Sequence, residues 1–155
     1  MKMLSKYHRD ERGSAAIEGA VLFPLLALIG FGVVDLSMLL RQTHAMEQGL
    51  VSSGGYLARA ENPDQSNIQT NARNIAAYGT PSASGTERIS GWTPSDVTLN
   101  IVPVANNGQY RGNDTLLVAK LSADHAYSGL GFIRLASGGK IRIRVEHEER
   151  LVRAR

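Results

Sequence analysis

Two carboxylates bracket the longest apolar stretch of this chain. Glu18 lies near its entrance and Asp35 near its end, and no charge falls between them. An ionised carboxylate inside a bilayer costs about 2.5–3.5 kcal/mol on insertion scales, so either residue needs a reason to be there. Each is close enough to an end of the block to reach an interface, and for Asp35 the simpler reading is a possible membrane-edge carboxylate. Glu18 is set apart by its position. It follows Gly13 in a Gly-x4-Glu spacing, after a short basic leader and at the mouth of the only apolar block.

Other candidate chemistry is sparse. The four His residues are scattered at positions 8, 44, 125 and 147. His147 stands between Glu146 and Glu148, yet neighbouring strand residues point to opposite faces, which argues against a metal site. The run Ser128-Gly129-Leu130-Gly131 lacks the strand-to-helix setting of a phosphate loop. With no convergent catalytic set and no cofactor motif, an enzyme is not expected. The chain has 17 basic and 14 acidic residues. Without residues 1–13 the net charge falls to about +1, which is no nucleic-acid footprint. The absence of Cys places no constraint on compartment.

The apolar block must position the two carboxylates. From Gly19 to Val34 it measures about 24 Å as a helix, short of the roughly 30 Å hydrocarbon core, and extending it to Leu40 reaches spanning length. Leu22, Phe23, Leu25, Leu26, Leu28, Ile29 and Phe31 cover every face, unlike a helix buried on one side of a soluble core. A cleaved signal peptide shares the basic start, but residues 35–40 offer no A-x-A site and Thr43-His44-Ala45 is a poor substitute. Lys2, Lys6, Arg9 and Arg12 precede the block against Asp10 and Glu11, which orients the N-terminus to the cytoplasm. Pro24 removes an N–H and clashes with the preceding turn, predicting a helix kink. Gly30 and Gly32 leave a notch where another helix could approach. For these three residues, ordinary membrane-helix composition is an equal reading.

Past the block, Met46, Leu50 and Leu57 continue a helical stripe over residues 41–60, with Gly49, Gly54 and Gly55 predicting a frayed or bent segment at 52–55. Asn62-Pro63-Asp64-Gln65 reads as a helix start, and Gly79 with Pro81 as its end. Residues 82–85 form a small-residue linker. From Val97 the period becomes alternating. Strands are expected over 97–101, 115–122 and 140–146, the last with Ile141, Ile143 and Val145 on one face and Lys140, Arg142 and Arg144 on the other. That basic stripe, with Arg150, Arg153 and Arg155 beyond it, reads as a solvated face or a dock for an acidic neighbour. The fold class is α+β: a long N-terminal transmembrane helix, a second short helix and a small antiparallel β-sheet head. With roughly 115 residues past the membrane, the head has a modest core.

The leader, Gly13, the small run Ala15-Ala16, Glu18, the early Pro24 and the terminal Asp35 together resemble a type IV prepilin, and in detail the TadE-like minor pilins (pseudopilins) of the Tad/Flp tight-adherence pilus system. More weakly, residues 116–121, 127–135 and 141–146 resemble the family's C-terminal pattern. The chain departs from it at Gly19, where the family usually carries a bulky residue after the Glu. The resemblance implies cleavage between Gly13 and Ser14 by a prepilin peptidase. Ser14 then carries the new amine, and Glu18, as the fifth mature residue, sets assembly register by neutralising the amine of a neighbouring subunit. It further implies partners: the peptidase, other pilin and minor pilin subunits, an inner-membrane assembly platform and the lipid bilayer. Residues 1–13 become a cytoplasmic leader, 14–40 the transmembrane helix of a single-pass inner-membrane protein, and 41–155 a periplasmic helix plus head. The expected role is in pilus assembly, surface adhesion and secretion. Two alternatives stay open: a pseudopilin of a related secretion system, and an unprocessed signal-anchored periplasmic interaction domain.

Overall fold

The computed structural model describes the backbone of residues 11–108, 110–111 and 114–152, and the side chains from residue 15 onward within those limits. Leader residues 1–10, and Arg153 and Arg155 of the basic stripe, lie outside the described residues. Helix α1 (Glu11–Leu57) is followed by α2 (Ser66–Tyr78), strands β1 (Val97–Ala105) and β2 (Thr115–Ala126), a short helix α3 (Phe132–Ser137) and strand β3 (Arg142–Arg150). The expected α+β class holds.

At 1.5 Å per residue, the 47 residues of α1 make a rod about 70 Å long. Its first half is bare: the large apolar side chains from Ile17 to Leu40 are exposed, apart from Leu39, which packs against the head core. Its second half buries Met46, Leu50, Ser53 and Leu57. The helix runs through Pro24 without interruption. Polar side chains along it bond back to their own helix: Ser37 Oγ donates to the Val33 carbonyl (2.8 Å) and Thr43 Oγ1 to that of Leu39 (3.0 Å).

The break expected at 52–55 is absent; α1 is helical to Leu57. The reason is packing. A Cβ on Gly49 would lie 2.5 Å from the Ala76 carbonyl oxygen and 2.8 Å from the Trp92 ring, and one on Gly54 would lie 3.0 Å from His147 and Glu149. These glycines let α2, Trp92 and β3 close onto the helix, and that contact outweighs their poor helix propensity.

The start of the second helix also differs. Asn62-Pro63-Asp64-Gln65 forms a turn, the Gln65 N–H donating to the Asn62 carbonyl (3.2 Å), and the helix begins only at Ser66. Pro suits the second turn position as well as the first helical one, so the motif fits both. The far end is as expected: Gly79 adopts φ 77° and its N–H donates to the Ile75 carbonyl (2.9 Å).

The strands form a meander in the order β1-β2-β3, antiparallel throughout. Each is longer than expected or displaced toward the C-terminus. β1 continues through Pro103, which an edge strand tolerates. One face of the sheet presents Val97, Leu99, Ala119, Leu121, Ala123, Ile143 and Val145 to α1 and α2, with Trp92 fully buried between them. The opposite face is charged. Arg142 and Arg144 of β3 hold Asp124 of β2 at 2.6 and 3.0 Å, and Lys120 pairs with Glu148 at 2.7 Å. The acidic neighbours of the basic stripe thus sit on the adjacent strand.

Candidate functional site

The sequence-predicted residues all lie on α1 and are spread along it. Gly13 and Ser14 occupy its first described turn, and Glu18 and Pro24 are exposed farther along. Asp35 stands about 26 Å beyond Glu18 along the axis, so the two carboxylates belong to separate places. Only Asp35 meets the head.

There it is fully buried by the segment linking β2 to β3. The Tyr127 hydroxyl donates to its carboxylate and lies 2.7 Å from its main-chain oxygen. The Leu130 N–H donates to Oδ1 at 2.9 Å and the Ile133 N–H to Oδ2 at 2.8 Å. The carboxylate therefore collects three donors from a segment more than ninety residues away. Charge-assisted bonds of this kind are the stronger class, and they remove the cost of a bare carboxylate beside an apolar surface. The head thus holds Asp35 through groups of the β2–β3 segment.

Neighbouring contacts fix the same loop. The Gln42 amide donates to the Ser128 carbonyl at 2.7 Å, and Phe132 stacks on Phe31 with ring centroids 5.2 Å apart and 13° between planes. A Cβ on Gly129 would collide with the Tyr127 phenol and the Asp35 carboxylate, so only Gly lets the chain pass here. Gly131, at φ 94°, turns the chain into α3. The Tyr127 phenol is pushed up to about 12 by its burial and by the carboxylate it bonds, which keeps it a donor at every physiological pH. Elsewhere in the head, Asp124 is held below the usual carboxylate range by the Arg144 and Arg142 guanidiniums.

Tyr127, Gly129 and the N–H groups of Leu130 and Ile133 are the functional partners missed in the sequence. The available signal was Asp35 itself, a carboxylate at the end of an apolar block that needs donors. His147, set between Glu146 and Glu148 in the sequence, pairs in the fold with Glu149 at 3.1 Å, two residues along on the same face and against Gly54.

α1 is long and apolar enough to cross a membrane, the single such helix among the described residues. Residues 13–51 match the family model described as TadE-like protein. Over those residues the chain is similar to TadE-like proteins. The match begins at Gly13, includes Glu18, Pro24 and Asp35, and ends within the covered half of α1; the rest of the head lies beyond it. No curated protein and no solved structure matches the chain. The likeness covers the apolar half of α1 and the start of its packed half.

Proposed function

We propose that this TadE-like chain is a minor pilin or pseudopilin, made as an inner-membrane precursor and matured by a prepilin peptidase that cuts between Gly13 and Ser14. Residues 1–13 are its cytoplasmic leader, 14–40 its span and 41–155 its periplasmic part. The mature helix then packs against other pilin subunits at the assembly platform, where Glu18 sets register against the Ser14 amine of a neighbour. The chain serves pilus assembly and, through the pilus, adhesion and secretion.

The observation that carries this reading is the family match from Gly13 onward, joined to a helix whose apolar side chains over residues 17–40 are exposed to whatever surrounds it. Such a surface needs lipid or other helices. The test is the N-terminal sequence of protein recovered from membranes with and without active peptidase. A peptidase-dependent start at Ser14 is expected; an intact Met1 in both strains would refute processing. Glu18→Ala should leave insertion and cleavage intact and abolish co-fractionation with pili. Normal incorporation of that variant would remove the register role.

A further inference from the structure

The loop that clamps Asp35 also reaches past it. Phe31, on which Phe132 stacks, precedes Asp35 by about 6 Å along the helix axis, within the bare apolar half of α1. The head thus has one element lying at the level of the span. That element carries its own apolar groups outward: Leu130 is 51% exposed and Leu135 is 80% exposed, the highest value among the large apolar side chains of the described residues. Residues 127–141 contain no acidic residue, and Arg134 and Lys140, both exposed, bracket Leu135 in the sequence. Apolar groups beside basic ones with long stems are what an anionic lipid interface accommodates.

We propose that the α3 loop is a membrane-interface foot: Leu130 and Leu135 enter the outer edge of the bilayer beside α1, and Arg134 and Lys140 meet anionic headgroups. The surface is continuous with the apolar belt of the span through the Phe31–Phe132 stack. The Asp35 clamp fixes its height, because Leu130 and Ile133 donate to that carboxylate from within the foot itself. Lipid is favoured over a second copy because this depth and charge are properties of one subunit anchored alone. The inference rests on α1 being the membrane span, and on neither processing nor pilus assembly.

The chain has no Cys, so single-cysteine variants report cleanly. An environment-sensitive fluorophore is attached to Leu135→Cys, to Leu26→Cys in the span and to Val152→Cys. Val152 is also exposed and follows Leu151, whose N–H bonds Leu117, about 30 Å up β2 from Ala126. The full chain is reconstituted into phosphatidylethanolamine–phosphatidylglycerol vesicles containing doxyl-labelled lipid. The expected result is blue-shifted emission and lipid-dependent quenching at positions 135 and 26, with neither at 152. Replacing phosphatidylglycerol by phosphatidylcholine should weaken the quenching at 135 alone. If position 26 is quenched while position 135 emits as position 152 does, the foot is overturned and the span survives. Shielding at 135 that follows protein density without lipid quenching assigns the surface to a second copy and overturns lipid. Absence of quenching at 26 removes the span and the foot together.

Discussion

The two halves of α1 share one continuous helix and meet opposite fates. The first is almost wholly apolar, the second sets Met46, Leu50 and Leu57 among polar residues such as Glu47, Gln48 and Ser52, and both carry glycines. Along residues 17–40 the large apolar side chains other than Leu39 are exposed, and a Cβ on Gly30 or Gly32 would meet nothing within 4 Å. Along residues 46–57 the stripe is buried, and Gly49 and Gly54 are pressed against neighbours. Gly30 and Gly32 of the first half meet nothing of the chain itself; in the second half Gly49 and Gly54 bring the chain's own head close. Asp35 lies between these regimes, where the head's lowest loop ends the bare half. The halves differ in composition and in where the head reaches, and the three donors to Asp35 come from the head's lowest loop.

The comparison breaks most visibly at its aromatic residues. Trp92 is fully buried where α1, α2 and the sheet meet, whereas Phe23 is 73% exposed. Trp92→Ala should destabilise the head by about 3–5 kcal/mol, the usual cost of removing a large buried aromatic side chain. Phe23→Ala should leave head stability unchanged. Denaturant unfolding in mild detergent, followed by circular dichroism, measures both. Equal losses from the two variants would mean that the bare half folds against the head.

Most of the architecture was legible because it depends on local pattern. The apolar block, the stop at Gly79 and the change to alternation at Val97 are each written in a few consecutive residues. The errors share a different cause. Gly49, Gly54 and Gly55 read as a frayed or bent segment because helix propensity is local, while the Trp92 ring and the β3 side chains that justify Gly49 and Gly54 are distant in sequence. Asn62-Pro63 read as a helix start because one motif serves two structures. The donors to Asp35 could not be located from Asp35, since two of the three are backbone N–H groups that any residue supplies. Residue identity contributes only at Tyr127, for its hydroxyl, and at Gly129, for the space it leaves.

That clamp gives the next largest effect. Tyr127→Phe removes a hydrogen bond to a charged acceptor, worth about 1.5–3 kcal/mol of docking free energy. The exposed Arg134 in the same loop is a trypsin site, and its cleavage should accelerate roughly 10- to 100-fold if it proceeds from the undocked state. The clamp also predicts an alkaline transition. The phenol ionises near 10 when unfolded and at about 12 in place, so its contribution is complete below pH about 10 and is lost as pH rises toward 12. In an ultraviolet titration, one of the five tyrosines should ionise late, and Tyr127→Phe should remove that late step. A variant that keeps the late step would show that another tyrosine carries it.

The smallest effects separate the glycines. In an open helix, Gly→Ala stabilises by about 1 kcal/mol, because Ala loses less backbone freedom on folding. Gly49→Ala gains that amount and places a methyl group against a main-chain oxygen that α2 cannot easily withdraw, an overpacking cost of about 2–3 kcal/mol. The net loss should be about 1–2 kcal/mol. At Gly54 the nearest atoms belong to the His147 ring and the Glu149 side chain, which can yield, so Gly54→Ala should fall within about 0.5 kcal/mol of neutral. Gly30→Ala should not lower head stability at all, and any defect it causes should appear only in helix–helix association. The order of the three in a single unfolding series therefore reads out how closely the head approaches each point of the helix. A Gly49→Ala variant as stable as Gly30→Ala would place Trp92 and α2 farther from α1 than they stand here.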